Sequence, residues 1–399
     1  DVTGYAYDML NALGIVVLVL LWENPFLLSY SGFVFSVMAV IAIGVGANVL
    51  LEWEHSWKRR QQAGEETIKK TFFSRQKEGI LVSFAIQLFT IPLVAYSYYE
   101  IPVYAMLINL FVLALVDGLL GLTVLGVIVG MAFLPAGRVL FAPCGWMLDS
   151  YRFLCEVSLK IPGAQRITGK PAHMRIFWYY LGLGVFLLAI YACSRRNEKH
   201  KDCRETADLC VSRRKKRLQG IVFSCFIAFL LLFLLFPQKK SFEIDFLDVG
   251  QGDGIYLCTG GGTSMFIDGG STDVKQVGKY RILPFLKAKG VSEISYWFVS
   301  HTDTDHVSGL KEVLVSGYRV EYLVFAKAVE KEAKTKELAE LASSHGTKVF
   351  YMQAGDTVRS KRAAMRCLYP KAADKGENIN DRCLVLQFEE GDISALFGG

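Results

Sequence analysis

Long apolar runs fill the first three-fifths of the chain, and short alternating runs fill the rest. The long runs are Leu10–Trp22, Leu28–Leu51, Gly79–Tyr98, Pro102–Val116, Leu119–Leu134, Ile176–Cys193 and Gly220–Phe236. About 20 apolar residues span a bilayer core, whereas 10–14 need not. Gly220–Phe236, free of charge, and Leu28–Leu51 are therefore the strongest spans, and Leu10–Trp22 the shortest. The stretch 101–134 would extend about 50 Å as one helix against a core of about 30 Å. Asp117-Gly118 interrupts it, which predicts two short or re-entrant helices. Residues 138–160 mix Trp146, Tyr151, Phe153 and Leu154 with Asp149, Arg152 and Glu156, the pattern of an amphipathic helix lying at the membrane interface. Residues 1–240 thus read as a polytopic α-helical membrane domain of about seven segments plus that helix.

After Pro237 the period changes. Phe242–Asp248, Ile255–Thr259, Thr263–Asp268, Ile294–Ser300, Val320–Phe325, Lys348–Met352, Met365–Tyr369, Leu384–Phe388 and Ile393–Phe397 read as strands. Gly309–Ser316 and Glu330–His345 read as helices. Residues 241–399 are expected to form an α/β soluble domain.

Composition agrees with this division: 52% of residues are hydrophobic and 21% charged, too apolar for a wholly soluble chain. Residues 1–240 carry 25 Lys and Arg against 16 Asp and Glu; residues 241–399 carry 19 against 22. Two connections are strongly basic, 52–78 and 194–219, the second ending in Arg213-Arg214-Lys215-Lys216-Arg217. Basic loops stay in the cytoplasm, so an even number of crossings must separate them. Splitting 101–134 supplies four crossings, and Gly220–Phe236 then leaves the cytoplasm. The soluble domain is predicted to be extracytoplasmic on a multi-pass cell-membrane protein.

The chemistry concentrates after the strand 294–300, in His301-Thr-Asp303-Thr-Asp305-His306. Four metal-capable side chains within six residues suit a loop around one or two divalent ions. Mixed imidazole and carboxylate donors favour Zn, Mn or Fe over Ca or Mg. A calcium loop of the EF-hand type from Asp303 fails, since Ser308 and Leu314 stand where Gly and Glu are needed. Asn48, Gln87, Asn109 and Asp117 are polar positions in or beside the spans. Each either bonds a neighbouring helix or lines a substrate path; Asn109 and Asp117 are the stronger candidates for a path.

Asp248-Val-Gly-Gln-Gly-Asp253, Asp268-Gly-Gly, and His301-Thr-Asp-Thr-Asp-His306-Val-Ser-Gly309 resemble the metallo-β-lactamase fold domain of ComEC-type DNA-internalisation competence proteins. The membrane half, with Asn11-Ala-Leu13 and Asn24-Pro25-Phe-Leu, is similar to that family's competence domain. The resemblance implies an αββα, metallo-β-lactamase-like fold. It implies that His301 and Asp303 bind a first metal and Asp305 and His306 a second, with Asp305 and His306 catalytic. It places Asp268 behind a ligating His, and Asp248, Gln251, Asp253 and Asn380 lining the site. The family carries a bridging Asp and a later His segment after the residues matching Phe397-Gly398-Gly399. The soluble domain is therefore expected to be truncated at its C-terminus, and the chain, opening at Asp1 without Met, to start inside a membrane domain.

The function so implied is DNA uptake in natural competence: a channel for incoming single-stranded DNA with an extracytoplasmic, metal-dependent nuclease or phosphodiesterase using Zn or Mn. Membrane lipid, other competence proteins and a second copy are its candidate partners. The alternatives are a membrane-tethered metallo-hydrolase of another phosphoester, such as a cell-wall polymer substituent, and a metal domain that only binds DNA. Nine cysteines show no C-x-x-C pair, and pairing among Cys258, Cys367 and Cys383 is left open. The basic group Arg359, Lys361, Arg362 and Arg366 reads either as a solvated face or as a contact for a DNA backbone.

Overall fold

The computed structural model describes residues 8–61, 72–199, 209–237, 241–371 and 379–398. The chain divides into two compact units, 1–166 with 171–236 and 167–170 with 237–399.

The first unit is helical. Helix α1 (Met9–Glu23) starts at Asp8, whose Oδ1 accepts from the Leu10 and Asn11 amides. Asn24 then caps a 3-10 turn, Pro25–Ser29. Helix α2 (Ser31–Ile41) runs through a π-helical turn (Ala42–Ala47) into α3 (Asn48–Gln61). Helix α4 (Phe72–Tyr98) and strand β1 (Glu100–Pro102) precede α5 (Ala105–Ala132) and α6 (Leu134–Lys160). Strand β2 (Gln165–Ile167), α7 (His173–Lys199) and α8 (Leu209–Leu234) complete the unit.

Among the described residues four helical stretches are long and apolar enough to cross a membrane: Ser31–Ser56, Glu78–Tyr98, His173–Arg196 and Arg217–Leu234. Met9–Glu23 and Gly118–Ala132 are shorter apolar stretches. The connections 62–71 and 200–208 within the two basic loops lie outside the described residues.

One expectation is corrected here. The stretch 101–134 is not two helices: α5 is one helix of 28 residues that runs through Asp117-Gly118. A mid-helix Gly costs only about 1 kcal/mol, and the flanking Leu, Val and Ile outweigh it. Residues 138–160 belong to a longer helix, α6. Helix α6 folds back along the whole of α5, with Tyr151 against Phe111, Met147 beside Gly118, Cys144 beside Thr123 and Phe141 over Gly126. At the turn, a Cβ on Gly137 would sit on the Gly130 backbone, so Gly126, Gly130 and Gly137 permit a close backbone crossing. The ends of this hairpin are held together by the β1–β2 ribbon, where the Val103 amide donates to Ala164 O at 2.8 Å.

The core of the unit packs Ala42 and Ala47 of the π turn, Ala85 and Leu88 of α4, Tyr179 and Leu183 of α7, and Leu230 of α8. Pro92 lies inside α4 and has no amide hydrogen for the carbonyl four residues back. That carbonyl, Leu88 O, takes the Tyr179 hydroxyl at 2.9 Å, and Phe89 O takes Tyr180 at 2.8 Å.

The second unit stacks helices on a sheet and that sheet on another. Six strands lie in the order β3 (Glu243–Phe246), β4 (Gly254–Cys258), β5 (Ser264–Asp268), β6 (Glu293–Phe298), β7 (Arg319–Ala326) and β8 (Lys348–Met352). The first three pair antiparallel; β5 to β8 pair parallel. Helices α9 (Leu283–Ala288), α10 (Thr304–Val315) and α11 (Ala333–Ser344) supply the crossovers that parallel strands need. Four antiparallel strands, β9 (Thr357–Ser360), β10 (Ala363–Tyr369), β11 (Val385–Glu390) and β12 (Ile393–Phe397), form the second sheet in the order β12-β11-β10-β9.

Trp297, Leu323 and Phe325 face α9–α11, whereas Met265, Phe298 and Val324 face Met365, Leu386 and Phe388 of the second sheet. The large sheet is thus buried on both faces, as parallel strands require. These are the first three layers of the αββα, metallo-β-lactamase-like arrangement. Strand β9 and helix α9 were not apparent in the sequence pattern, nor were β1 and β2 of the first unit; the other strands of this unit match it to within a few residues at their ends.

Candidate metal centre

The centre forms where β4 begins and β5 and β6 end. Strand β6 is the buried middle of the sheet, and the chain leaves it at Val299 to make the loop 300–303 before α10. Helix α10 starts inside the ligand motif, with Asp303 as its flanking residue and Asp305 in its first turn. His301 and His306 are therefore carried by a buried strand end and a helix start, and both are buried. Their rings lie 3.8 Å apart between centroids.

Asp268, at the end of β5, holds this loop. It is 2% exposed and sits at φ +58°, a left-handed conformation that turns its carboxylate towards β6. Its Oδ1 accepts the Ser300 amide at 2.8 Å, its Oδ2 lies 3.0 Å from His306 Nδ1, and its carbonyl accepts Trp297 Nε1 at 2.6 Å. A carboxylate on Nδ1 fixes that nitrogen as the protonated one and leaves Nε2 for a ligand. Nε2 is 3.7 Å from Asp305 Oδ2. Behind the loop, Gly270 has no room for a Cβ against the Asp305 backbone, which explains the second Gly of Asp268-Gly-Gly. The Asp253 amide donates to Asp305 O at 3.3 Å, and the Gly270 amide to Asp253 O at 3.1 Å, lacing the three loops together.

Two groups of donor atoms result, each with its atoms within 4.8 Å of one another: His301, Asp305 and His306, and Asp253, Asp268 and His306. Two imidazoles with a carboxylate fit a Zn, Mn or Fe ion. Asp253 reaches to 3.8 Å from His306 Nδ1 and is largely exposed. Burial lowers the pKa of His301, as does neighbouring His306, against Asp268, Asp303 and Asp305. For His306 burial acts downwards too, but the hydrogen bond and charge of Asp268 prevail and its pKa is raised.

Other sequence candidates stand apart from the cluster. Asp303 turns outward and accepts from Lys334 Nζ at 3.0 Å, outside both donor groups. Asp248 is exposed and pairs with Arg281 at 3.3 Å. Gln251 enters through its backbone, its amide donating to Asp273 Oδ1 at 2.8 Å. Asn380 stands in a 3-10 turn, Ile379–Arg382, and its side chain lies outside the described residues. Asn109 is half-buried on α5; the side chain of Asp117 lies outside the described residues.

Sequence reasoning missed Ser300, whose Oγ is 3.0 Å from His301 Nδ1 and 3.3 Å from His306 Nδ1. Its place directly before the motif was the available signal. It also left open Cys383, whose backbone neighbour Leu384 donates to Ser300 O at 3.0 Å. Burial, then the charges of Asp268, Asp303 and Asp381, push the Cys383 thiol up to about 11.

The molecule is a helical membrane protein joined to a metallo-β-lactamase-like α/β domain with a His/Asp centre capable of holding metal. Residues 2–192 match the Competence protein family. That match covers just under half of the chain, its helical part, which is similar to competence proteins. It is 23% identical to ComE operon protein 3 of Bacillus subtilis over 96% of its own length and 46% of that protein. It is also 31% identical to Recombination protein 2 of Haemophilus influenzae over 26% of its length and 13% of that protein. The chain thus spans less than half the length of either curated relative. In fold it is similar to the metallo-beta-lactamase fold protein YhfI from Bacillus subtilis, at 12% identity and a TM-score of 0.27, covering 37% of this chain and 54% of that one.

Proposed function

We propose that the protein takes up DNA in natural competence, passing one strand through its helical unit while the α/β unit hydrolyses phosphodiester bonds. The observation that carries this is the joining of a competence domain to the His301, Asp305 and His306 donor group. Bound there, Zn or Mn would supply an activated water near neutral pH and a counter-charge for a phosphoryl oxygen. The chain's residues do the rest. His301, Asp305 and His306 would hold the ion; Asp268 keeps the proton on His306 Nδ1; Asp305 and His306 are the proposed catalytic residues. Asp303 joins the first metal only if Lys334 releases it. Asp248, Gln251 and Asn380 then lie around the site rather than in it. Asn109 and Asp117 remain the proposed path residues for the transported strand.

The α/β unit is extracytoplasmic in this account, and the corrected hairpin leaves the parity intact. Because β1 and β2 pin the ends of α5 and α6 together, the pair contributes two crossings or none. With α4 and α7 the count between the basic loops is even in both cases, and α8 leaves the cytoplasm. A reporter active only in the cytoplasm should work after Arg60 or Arg214 and fail after Lys240; activity at Lys240 would place hydrolysis inside the cell. The function itself is tested in competent cells carrying His301→Ala. Labelled duplex DNA should fail to enter while supplied single strands still enter in part. Duplex entry at the normal rate would remove the metal centre from DNA processing.

A further inference from the structure

Away from the metal centre, the α/β unit carries a groove of about 480 Å³ between β6–β8 and strand β9. Tyr296, Tyr322 and Phe350 form its floor, on the same face of the large sheet as Phe298, Val324 and Met352, where that face runs out past the edge strand β9 of the second sheet. Tyr296 and Tyr322 stack at 5.1 Å and 16°, and Phe350 lies 5.4 Å from Tyr322. Such rings normally seal a core, yet Phe350 is 51% exposed. Lys348 Nζ lies 5.0 Å over the Tyr322 ring.

Strand β9 forms the wall. Arg359 lines the groove, and β9–β10 pairing sets Thr357 opposite Arg366 and Arg359 opposite Ala364. Directly opposed residues share a face, so Arg359 and Arg366 lie together on the outer face of this hairpin. Lys361 and Arg362 extend the charge into its turn. The acids nearby are Asp356, which accepts the Gln353 amide in its own turn at 3.0 Å, Glu321, beside Tyr296, and Glu389, opposite Ala364 on the same outer face as the two arginines.

We propose that this groove binds single-stranded DNA, bases stacking on Tyr322 and Phe350 and phosphates lying along Arg359 and Arg366. Exposed aromatic faces beside a basic strip are what sequence-tolerant single-strand binding uses. Duplex DNA has no free base face to offer such a floor. Tyr296 on β6 precedes the candidate ligand His301, in the loop after that strand, by five residues, at most about 18 Å of chain, so a strand held in the groove runs within a few nucleotides of the centre. The proposal rests on DNA being the protein's polymer.

The test uses the whole chain in detergent with EDTA and fluorescein-labelled dT20, single-stranded or paired with dA20, read by anisotropy. Phe350→Ala and Tyr322→Leu should each weaken single-strand binding about tenfold. Arg359→Gln with Arg366→Gln should flatten its salt dependence. Affinity within twofold of wild type in a folded Phe350→Ala protein overturns the proposal, as does a wild type that binds both forms equally. A change in particle mass with unchanged DNA affinity also overturns it and gives the groove to a second copy. None of these outcomes depends on uptake in His301→Ala cells, so a failed groove and a failed DNA-uptake account are distinguishable.

Discussion

Asp268 Oδ2 lies 3.0 Å from His306 Nδ1, and the same carboxylate receives the Ser300 amide through Oδ1. One buried side chain thus fixes both the tautomer of His306 and the start of the loop that carries it. Asp268→Ala should lower metal affinity about 10–100-fold, the usual effect of removing such a carboxylate, measured by competition with a chromophoric chelator. Asp268→Asn should restore loop stability better than metal affinity, since an amide oxygen can still accept from Ser300. Equal metal affinity in wild type and Asp268→Ala would show that His306 needs no orienting partner.

The two histidines give metal-free protein a defined pH response. A pKa raised on folding makes the protonated form the stabilising one. The His306–Asp268 contribution is therefore fully present below the ordinary His value of about 6.5 and is lost as pH rises through the raised value. His301 is lowered, so its cost appears as pH falls below about 6.5. In EDTA, the melting-temperature difference between wild type and His306→Gln should shrink from pH 6 to pH 9. A difference that grows with pH would contradict the Asp268 pairing.

The soluble unit's thiols should be inert. Cys258, Cys367 and Cys383 are buried and carry no disulfide. Burial pushes Cys367 and Cys383 up to about 11, so at pH 8 both are overwhelmingly protonated. A thiol reagent at pH 8 should label them only after denaturation. Rapid labelling of native Cys383 would mean that the loop above Ser300 opens.

In the helical unit, Tyr179→Phe removes the donor that satisfies Leu88 O beside Pro92. The cost should be about 1 kcal/mol, seen as a fall of a few degrees in the melting temperature of detergent-solubilised protein. Restoring the missing amide with Pro92→Ala should make Tyr179→Phe nearly silent. Additive effects of the two changes would show that the hydroxyl and the proline act separately.

At the hairpin crossing, Gly137→Leu should separate α5 from α6, because its Cβ falls on the Gly130 backbone. Cysteines placed at Gly118 and Met147 should cross-link in wild type and fail to do so in Gly137→Leu. Undiminished cross-linking would mean that the hairpin does not depend on close packing at its glycines.

Much of this protein follows from its sequence by itself. Which segments are apolar enough for a membrane, where the period changes to that of strands, and where His and Asp concentrate are local properties, readable one window at a time. Strands β6 and β8 and the start of the ligand loop are therefore found where the residue pattern puts them. What tertiary structure decided are the contacts between distant segments. Asp117-Gly118 carries a local break signal, but only packing along α6 shows a continuous α5. Asp303 belongs to the ligand motif by spacing, yet it faces Lys334 on α11, 31 residues on. Asp268 meets His306 because parallel pairing of β5 with β6 brings their C-terminal ends together, and register between strands separated by a crossover is set by burial on both sheet faces, which no local window contains.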